Sequence, residues 1–524
     1  MFNYSSHSFF PDKDAGLLKK SELYFTLTFV AVITCIFGVY GWLITYGTGN
    51  FYGVEFLGAA FDSIGKHVIR GDVNIDADAA RWESFKVGGK LVMYFGPFPG
   101  FLRLIPNALA PEWYGHWSRL SLFLASLVAI CAVVTAFLMA LAKNTALTCA
   151  QKKSLCIISV AGFGLGTPLL FLMSCGFIYH EANIWGLCLA LWGVVFTLRL
   201  LLGWGGRNIN LFGLACVSAL TLLSRVTFGV PLYLILAIFS LARLSEIRNL
   251  KSLPKGPSFS PLQSMLQRRF FHVPTLWRLT VLLFPAILAL SFQLWYNHAR
   301  FGSILTFADY TRYTAELDQS HLGIDQLGGM MNVRRIPFGF YNYFRIKPDH
   351  FTRRAPFVRL RPVTDFEPGT YPRGFDGGPM MNVISLLVVS PWLLAGAAAG
   401  LWYLLRQKAS PLWWLCLGAF FVQLVFVASY YWIATRYSSE FLPFFVFLYA
   451  VFLINFKPMT SMVFSAKAAA LAVLVMVSAI TTPLSTLEYV THYRSGIPES
   501  FRSSLKDTFR RFSPMAGRAI KDTH

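Results

Sequence analysis

"RLSLFLASLVAICAVVTAFLMALA", residues 119–142, is a run of 24 residues with one charged side chain, at its start. An α-helix rises about 1.5 Å per residue, so roughly 20 apolar residues cross the hydrocarbon core of a bilayer. The run therefore predicts a membrane-spanning helix. Similar runs bring the predicted total to about eleven: residues 23–46, 154–175, 182–201, 209–224, 227–243, 278–297, 382–404, 411–433, 440–456 and 461–483. The fold class that they predict is an all-α integral membrane protein.

The composition supports this class. Hydrophobic residues make up 55% of the chain, charged residues only 14%, and the mean hydropathy is +0.52. A net charge of +21 would fit a nucleic-acid partner, but the basic residues collect in short loops beside the apolar runs, where cytoplasmic topology signals lie. The sequence thus excludes nucleic acid as the expected partner.

The loop charges predict an orientation. With the N-terminus in the cytoplasm, every short basic loop lies inside, as the positive-inside rule requires. Two long loops, residues 47–118 and 298–381, then lie outside, and both belong to a transmembrane domain predicted over residues 1–486. A basic tail, residues 487–524, follows on the outer side, although such a tail would favour the cytoplasm. Loops of this length are usually functional.

The first outer loop contains carboxylates next to the predicted membrane surface. Glu55, Asp62 and Lys66 recur at offsets of seven and four, so a helix over this stretch would place them on one face. Such a helix would lie in the interface. A solvated amphipathic face is the alternative interpretation of each carboxylate. The next stretch, "VGGKLVMYFGPFPGFLRLIPN" at 87–107, contains too many glycines and prolines for a plain spanning helix, and it predicts a re-entrant or surface-lying segment that walls a cavity.

Five cations lie at predicted outer boundaries, against the positive-inside trend. Each is suited to a phosphate, and each can instead be a snorkelling anchor: Lys90, Arg103, Arg225, Arg300 and Arg436. His180 and Glu181 share a short outer turn, in which Glu181 can also cap the following helix. We expect no metal and no cofactor, because the cysteines and histidines have no metal-ligand spacing.

Several segments resemble the C superfamily of bacterial membrane glycosyltransferases, the clan of protein O-mannosyltransferases and lipid A aminoarabinose transferases. The first outer loop contains an acidic residue soon after the first span, then "GK" and a Tyr94-Phe-Gly-Pro-x-Pro run. The other similar segments follow in the expected order: "YHEANIWGLCLALWGVVFTLRLL" (179–201), "LTLLSRVTFGVPLYLIL" (220–236), "WYNHARFGSILTFADYTRY" (295–313) and "ATRYSSEFLPFFVFL" (434–448). The clan's usual acidic pair directly after the first span is absent.

The resemblance implies a function. Such enzymes move a sugar from a polyprenyl-phosphate carrier to an acceptor on the outer face, here a lipid or glycan at the bacterial inner membrane. It implies a first-loop carboxylate as general base, with Glu55 the first choice, then Asp62, then Glu83. Tyr94, His180, Glu181 and the five boundary cations become candidates for binding substrate.

Two other functions stay open. An O-antigen polymerase or ligase is also a many-span enzyme with an arginine-bearing outer loop, and its essential residues would lie in the long late loop. A lipid or solute transporter, or a flippase, is the non-enzymatic alternative, and it would need charges near the middle of the membrane.

Overall fold

The computed structural model describes residues 15–251, 273–309, 312, 329–346, 350–360 and 382–512, except residues 82, 408, 459 and 493–495. Parts of the predicted second outer loop, of the linker before residue 273 and of the basic tail lie outside the described residues. The protein is an all-α integral membrane protein with a small hairpin.

Among the described residues, ten segments are long and apolar enough to cross a membrane. Their bounds are Glu22–Ile44, Ser118–Lys143, Cys149–Leu172, Ile178–Leu202, Arg207–Ser224, Val226–Leu244, Leu279–Phe301, Pro411–Ser429, Thr435–Asn455 and Ser461–His492. The eleventh predicted span, 382–404, is a short helix Leu386–Val389 followed by a helix Pro391–Arg406 of 16 residues. At about 1.5 Å per residue the latter is roughly 24 Å long, shorter than the hydrocarbon core.

The helices are numbered in chain order. They are α1 (Ala15–Ile44), α2 (Ala60–Val68), α3 (Ala77–Ala80), α4 (Phe98–Leu109), α5 (Ser118–Lys143), α6 (Cys149–Leu165), α7 (Pro168–Leu172), α8 (Ile178–Leu202), α9 (Arg207–Ser224), α10 (Val226–Lys251), α11 (Val273–Phe301), α12 (Ile336–Phe344), α13 (Leu386–Val389), α14 (Pro391–Arg406), α15 (Pro411–Ser429), α16 (Leu442–Asn455), α17 (Ser461–His492) and α18 (Glu499–Arg511). Short 3₁₀ helices cover Pro111–Trp113, Val333–Arg335 and Thr435–Phe441.

The centre of the bundle holds the most buried span. The span Thr435–Asn455, which contains α16, is 83% buried over its apolar window, against 22% for Glu22–Ile44. It packs against α14, α5 and α8, and α8 packs in turn against α5 and α9. Because an apolar helix gains nothing from burial in place of lipid, close packing and interhelical hydrogen bonds hold these helices together. One such bond joins Ser159 and Tyr449 at 2.8 Å.

The predicted first outer loop folds into a compact cap. Two strands, β1 (Phe85–Val87) and β2 (Lys90–Val92), form an antiparallel hairpin around a turn at Gly88 and Gly89, both of which have positive φ. Helix α4 then packs on α2 and leaves Leu102, Ile105 and Leu109 exposed. The stretch 87–107 is therefore a surface-lying hairpin and helix.

The predicted helix through Glu55, Asp62 and Lys66 is shorter than expected. Leu57 has a positive φ of 59°, which interrupts a helix, and α2 begins only at Ala60. Glu55 therefore lies in the turn before α2. Asp62 is buried at 1% exposure, so the helix does not present the carboxylates to solvent.

The described part of the tail lies beside the first outer loop. In α18 the Phe501 ring is 5.3 Å from that of Trp42 and 5.7 Å from that of Tyr46, at the end of α1 where the first loop begins. Gly496 packs against Phe177 and Phe56. The tail and the first loop thus occupy the same end of the bundle, the end that the odd number of predicted spans assigns to both.

Candidate active site

A cavity of about 460 Å³ lies at that end of the bundle. Its walls are mostly apolar and come from the first loop, the end of α9, the start of α10, the end of α11, the second loop and the end of α15. The predicted topology assigns every one of these segments to the outer side. Its polar lining includes Tyr94, Arg225, Thr227, Gln293 and Glu440.

The first loop contributes its wall through a close backbone contact. A Cβ on Gly96 would lie 2.1 Å from the Leu223 carbonyl oxygen, so only glycine lets the loop approach the end of α9. Just before it, the Tyr94 and Phe95 rings stack at 4.4 Å. Arg300 holds this wall from the other side, donating to the Met93 carbonyl at 2.6 Å. The loop is therefore clamped between α9 and α11.

Arg225 and Glu440 form an ion pair in the cavity wall. Arg225 lies at the break between α9 and α10 and donates to Glu440 Oε1 from Nε at 2.8 Å and from a terminal nitrogen at 2.6 Å. Glu440 is 1% exposed. Its second oxygen, Oε2, has no hydrogen-bond partner among the described residues. The pair places a buried carboxylate oxygen and a cation at the same wall.

Arg436 lies behind this wall. Its guanidinium carbon is 4.8 Å from the ring centres of both Tyr179 and Tyr437, and the Tyr437 ring also faces Arg225 at 5.1 Å. Tyr437 lines the cavity. Among the described residues Arg436 forms no ion pair with a carboxylate; its guanidinium faces these aromatic rings and donates to the Tyr437 hydroxyl at 3.3 Å.

Glu83 is the first-loop carboxylate nearest the cavity by contact. The Tyr179 hydroxyl donates a hydrogen bond to its carboxylate. The Tyr179 ring lies 5.7 Å from the Phe95 ring, and Phe95 lines the cavity. Tyr179 therefore lies between Glu83 and the cavity wall formed by Phe95, and the same ring faces Arg436.

Glu55 lies apart from the cavity lining. Its Oε1 accepts from Arg119 Nε at 2.5 Å, its Oε2 accepts from the Tyr46 hydroxyl at 3.2 Å, and its side chain packs on Gly176. Burial raises the pKa of this carboxyl to about 7, an effect larger than the opposing attraction of Arg119. A carboxyl with this pKa has the acidity of a general base, but both of its oxygens are already bonded.

Asp62, Arg103 and Glu181 form a sealed cluster. Arg103 donates to Asp62 Oδ2 and to Glu181 Oε2, both at 2.5 Å, and also to the Gly58 carbonyl at 2.6 Å. All three charged side chains are at most 3% exposed. Asn107 donates to the other oxygen of Asp62 at 2.6 Å. This cluster joins α2 and α4 of the first loop to α8.

The other sequence-predicted site residues lie elsewhere. Lys90 is at the exposed hairpin tip, paired with Asp72 at 2.7 Å. Arg300 is buried and donates hydrogen bonds to the Tyr296 and Met93 carbonyls and to Asn297 Oδ1. A ring nitrogen of buried His180 lies 3.1 Å from the Leu172 carbonyl oxygen. Of the residues predicted to bind substrate, Tyr94 and Arg225 line the cavity and Arg436 adjoins it.

Sequence reasoning missed Glu440 and Gln293. Glu440 stands in the quoted run "ATRYSSEFLPFFVFL", close to the start of an apolar helix, and a carboxylate in that position was a signal in itself. Gln293 lies inside a predicted span, where an amide is costly unless it has a partner or a ligand. No group of three or more His, Cys, Asp or Glu side chains in the described residues is arranged to hold a metal ion.

Comparisons with known proteins find distant structural neighbours. No protein-family model and no curated protein match this sequence. A structure of the archaeal oligosaccharyltransferase AglB from Archaeoglobus fulgidus, with an inhibitory peptide and a dolichol-phosphate, has a TM-score of 0.44 and 14% identity over 90% of this chain. ArnT from Cupriavidus metallidurans, bound to undecaprenyl phosphate, has a TM-score of 0.42 and 15% identity over 93% of this chain.

The extent of these matches differs between the two proteins. This chain spans 56% of the AglB chain, a little over half its length, and 70% of the ArnT chain. At these identities and TM-scores the likeness assigns no reaction and no residue role to this chain.

Proposed function

We propose that this protein is a membrane glycosyltransferase that moves a sugar from a polyprenyl-phosphate carrier to a hydroxyl of a lipid or glycan acceptor, at the outer face of a bacterial inner membrane. The supporting observation is the cavity, in which apolar walls meet Arg225 and Glu440 with Arg436 alongside. An apolar site with a few convergent charges is the usual form of a site for an amphiphilic ligand.

The charges suit a phosphodiester. Arg225 and Glu440 neutralise each other, which leaves Arg436 as one positive charge beside the cavity. A guanidinium presents a planar fork of donors that matches phosphate oxygens. In the reaction, the acceptor oxygen bonds to the anomeric carbon while the carrier phosphate leaves with the electron pair of the broken bond, and Arg436 with Arg225 stabilises the charge that accumulates there.

The acceptor hydroxyl must lose its proton to a base. From their contacts we rank the three candidate carboxylates differently from the sequence order. Both oxygens of Glu55 are bonded away from the cavity, and Asp62 is sealed against Arg103. Glu83 accepts from the Tyr179 hydroxyl, and the Tyr179 ring lies against Phe95 of the cavity wall, so we assign Glu83 the role of general base.

The other two functions have less support. A transporter needs a polar pathway that reaches both faces, whereas this cavity is lined by segments of one end of the bundle. A polymerase or ligase would place its essential residues in the second loop, and the described residues of that loop in the cavity lining, Met330 and Met331 among them, are apolar.

The test measures binding of undecaprenyl phosphate to the full chain in nanodiscs. Arg436→Leu should weaken binding about 10- to 100-fold, since a hydrogen bond to a charged group contributes about 1.5–3 kcal/mol. Arg406→Leu is the matched control, because Arg406 is also stacked on an aromatic ring, Trp402, at 4.7 Å, but at the opposite end of the bundle. Absence of carrier binding by the unmodified protein, or equal losses in both variants, would contradict the proposal.

A further inference from the structure

Three polar atoms of the cavity lining are buried without a hydrogen-bond partner among the described residues. They are Gln293 Oε1, Glu440 Oε2 and Thr227 Oγ1. Gln293 is 3% exposed and Glu440 is 1% exposed. A buried polar atom without a partner costs roughly 1–3 kcal/mol, so three around one cavity indicate a ligand that bonds to them.

The orientation of the Gln293 amide follows from its neighbours. Arg300 can only donate, and it donates to Asn297 Oδ1 at 2.8 Å, while Asn297 Nδ2 donates to the Ile304 carbonyl at 3.0 Å. Gln293 must therefore present its own NH₂ group to Asn297 Oδ1, at 2.8 Å. Its carbonyl oxygen is left as an acceptor on the cavity side.

The Glu440 carboxylate is oriented in the same manner. Arg225 has no acceptor, so both of its contacts are donations to Oε1. Oε2 remains as a second acceptor. Two fixed acceptors from different parts of the fold, with the Thr227 hydroxyl at the start of α10, suit a ligand that offers several hydrogen-bond donors.

We propose that Gln293, Glu440 and Thr227 form the subsite for the hydroxyl groups of the carrier-linked monosaccharide, with Gln293 as the residue that selects for free hydroxyls. This inference rests on the proposed function, since it places the sugar beside the phosphate that Arg225 and Arg436 bind. A cavity of about 460 Å³ lies within the range of small-molecule sites, about 300–1,000 Å³.

The experiment compares carrier lipids with and without O–H hydrogen-bond donors on the sugar. The probes are undecaprenyl phosphate, its glucose, galactose and mannose phosphodiesters, and the permethylated form of each hexose, which has no O–H group. We expect the unmodified protein to bind at least one hexose lipid about 10-fold more tightly than its permethylated form. Gln293→Met should remove this preference, because methionine keeps the length of the side chain without the amide acceptor.

The matched control is Gln423→Met. Gln423 is likewise 1% exposed, and its Nε2 has no partner among the described residues, but it does not line the cavity. This variant should keep the preference. If Gln293→Met does not fold, Thr227→Val tests the same subsite with an isosteric change, and it should reduce the preference about 5-fold.

The outcomes separate this inference from the proposed function. The hydroxyl subsite and the proposed function are both supported if Gln293→Met binds undecaprenyl phosphate as the unmodified protein does but has lost the hexose preference. Equal affinity of the unmodified protein for every hexose lipid and its permethylated form overturns the hydroxyl subsite and leaves carrier binding intact. A preference that survives in Gln293→Met and in Thr227→Val also overturns it. Absence of binding to every lipid overturns both.

Discussion

A substitution of Arg103 can distinguish whether this arginine is a structural cation or a ligand of the carrier phosphate. The guanidinium bridges Asp62 and Glu181 at 2.5 Å each, and all three side chains are buried. Substitution Arg103→Met removes the cation and leaves two carboxylates close together in a region without solvent. Removal of one partner from a buried ion pair costs about 3–5 kcal/mol.

The expected loss is at the upper end of this range. Arg103 also donates to the Gly58 carbonyl and to Ser118 Oγ, at 2.6 and 3.0 Å, and each such bond adds about 1 kcal/mol. Added to the lower bound of about 3 kcal/mol, these two bonds give a total of about 5 kcal/mol. A chain of 524 residues loses on the order of 1 °C of Tm per kcal/mol, so the Tm should fall by about 5 °C.

The assay uses the protein's own thiols. Cys156, Cys175, Cys188 and Cys416 are buried, so a thiol-reactive fluorophore reports unfolding in detergent as they become exposed. The triple variant Arg103→Met, Asp62→Asn, Glu181→Gln carries no charge at this site and should recover most of the loss, since neutral replacements of a buried ion cluster are often tolerated.

Binding of undecaprenyl phosphate is measured in the same preparations. The triple variant should bind the carrier as the unmodified protein does. If Arg103→Met keeps its Tm but loses carrier binding, and the triple variant does not restore that binding, the structural interpretation is refuted. Arg103 would then be the phosphate ligand that the sequence pattern predicted.

Three further predictions follow from the first loop and the topology. Glu83→Gln should keep carrier binding and lower the transfer rate about 100- to 10,000-fold, whereas full activity in a transfer assay would remove Glu83 as the base. The pKa of Glu55 is raised from 4.5 to about 7 in the folded protein, so the folded state binds this proton more tightly than the unfolded state. The free energy of unfolding should therefore fall by up to about 3 kcal/mol as the pH rises from 4.5 to 7. Melting curves across this range should show the fall, and Glu55→Gln should flatten it; an equal slope in the variant would assign the effect to another group. In intact cells, cysteine at exposed Ser503 should react with an impermeant reagent and cysteine at exposed Ser154 should not, and the reverse pattern would invert the topology.

The apolar runs by themselves determined most of the architecture. Transfer of a helix into lipid depends on the composition of one continuous segment, so hydropathy and length located the ten long spans of the described residues without any knowledge of their neighbours. The same local signal predicted residues 382–404 as one continuous span, because composition does not register the break at Ser390 that divides this segment into α13 and α14. Loop charges predicted which segments share an end, and the cavity lining brings those segments together.

The role of each charged side chain was decided only by the tertiary structure. A lone arginine at a membrane boundary has the same local sequence signal whether it anchors a helix, pairs with a carboxylate or binds a phosphate. Arg225 meets Glu440 across 215 residues of chain, and Arg103 meets Glu181 across 78. Ion pairing and burial depend on which side chains lie within about 4 Å, and packing of distant helices sets those distances. Glu55, Asp62 and Glu83 were therefore alike as acidic residues of one loop, and the fold separated them into one carboxyl with a raised pKa, one sealed ion pair and one neighbour of the cavity wall.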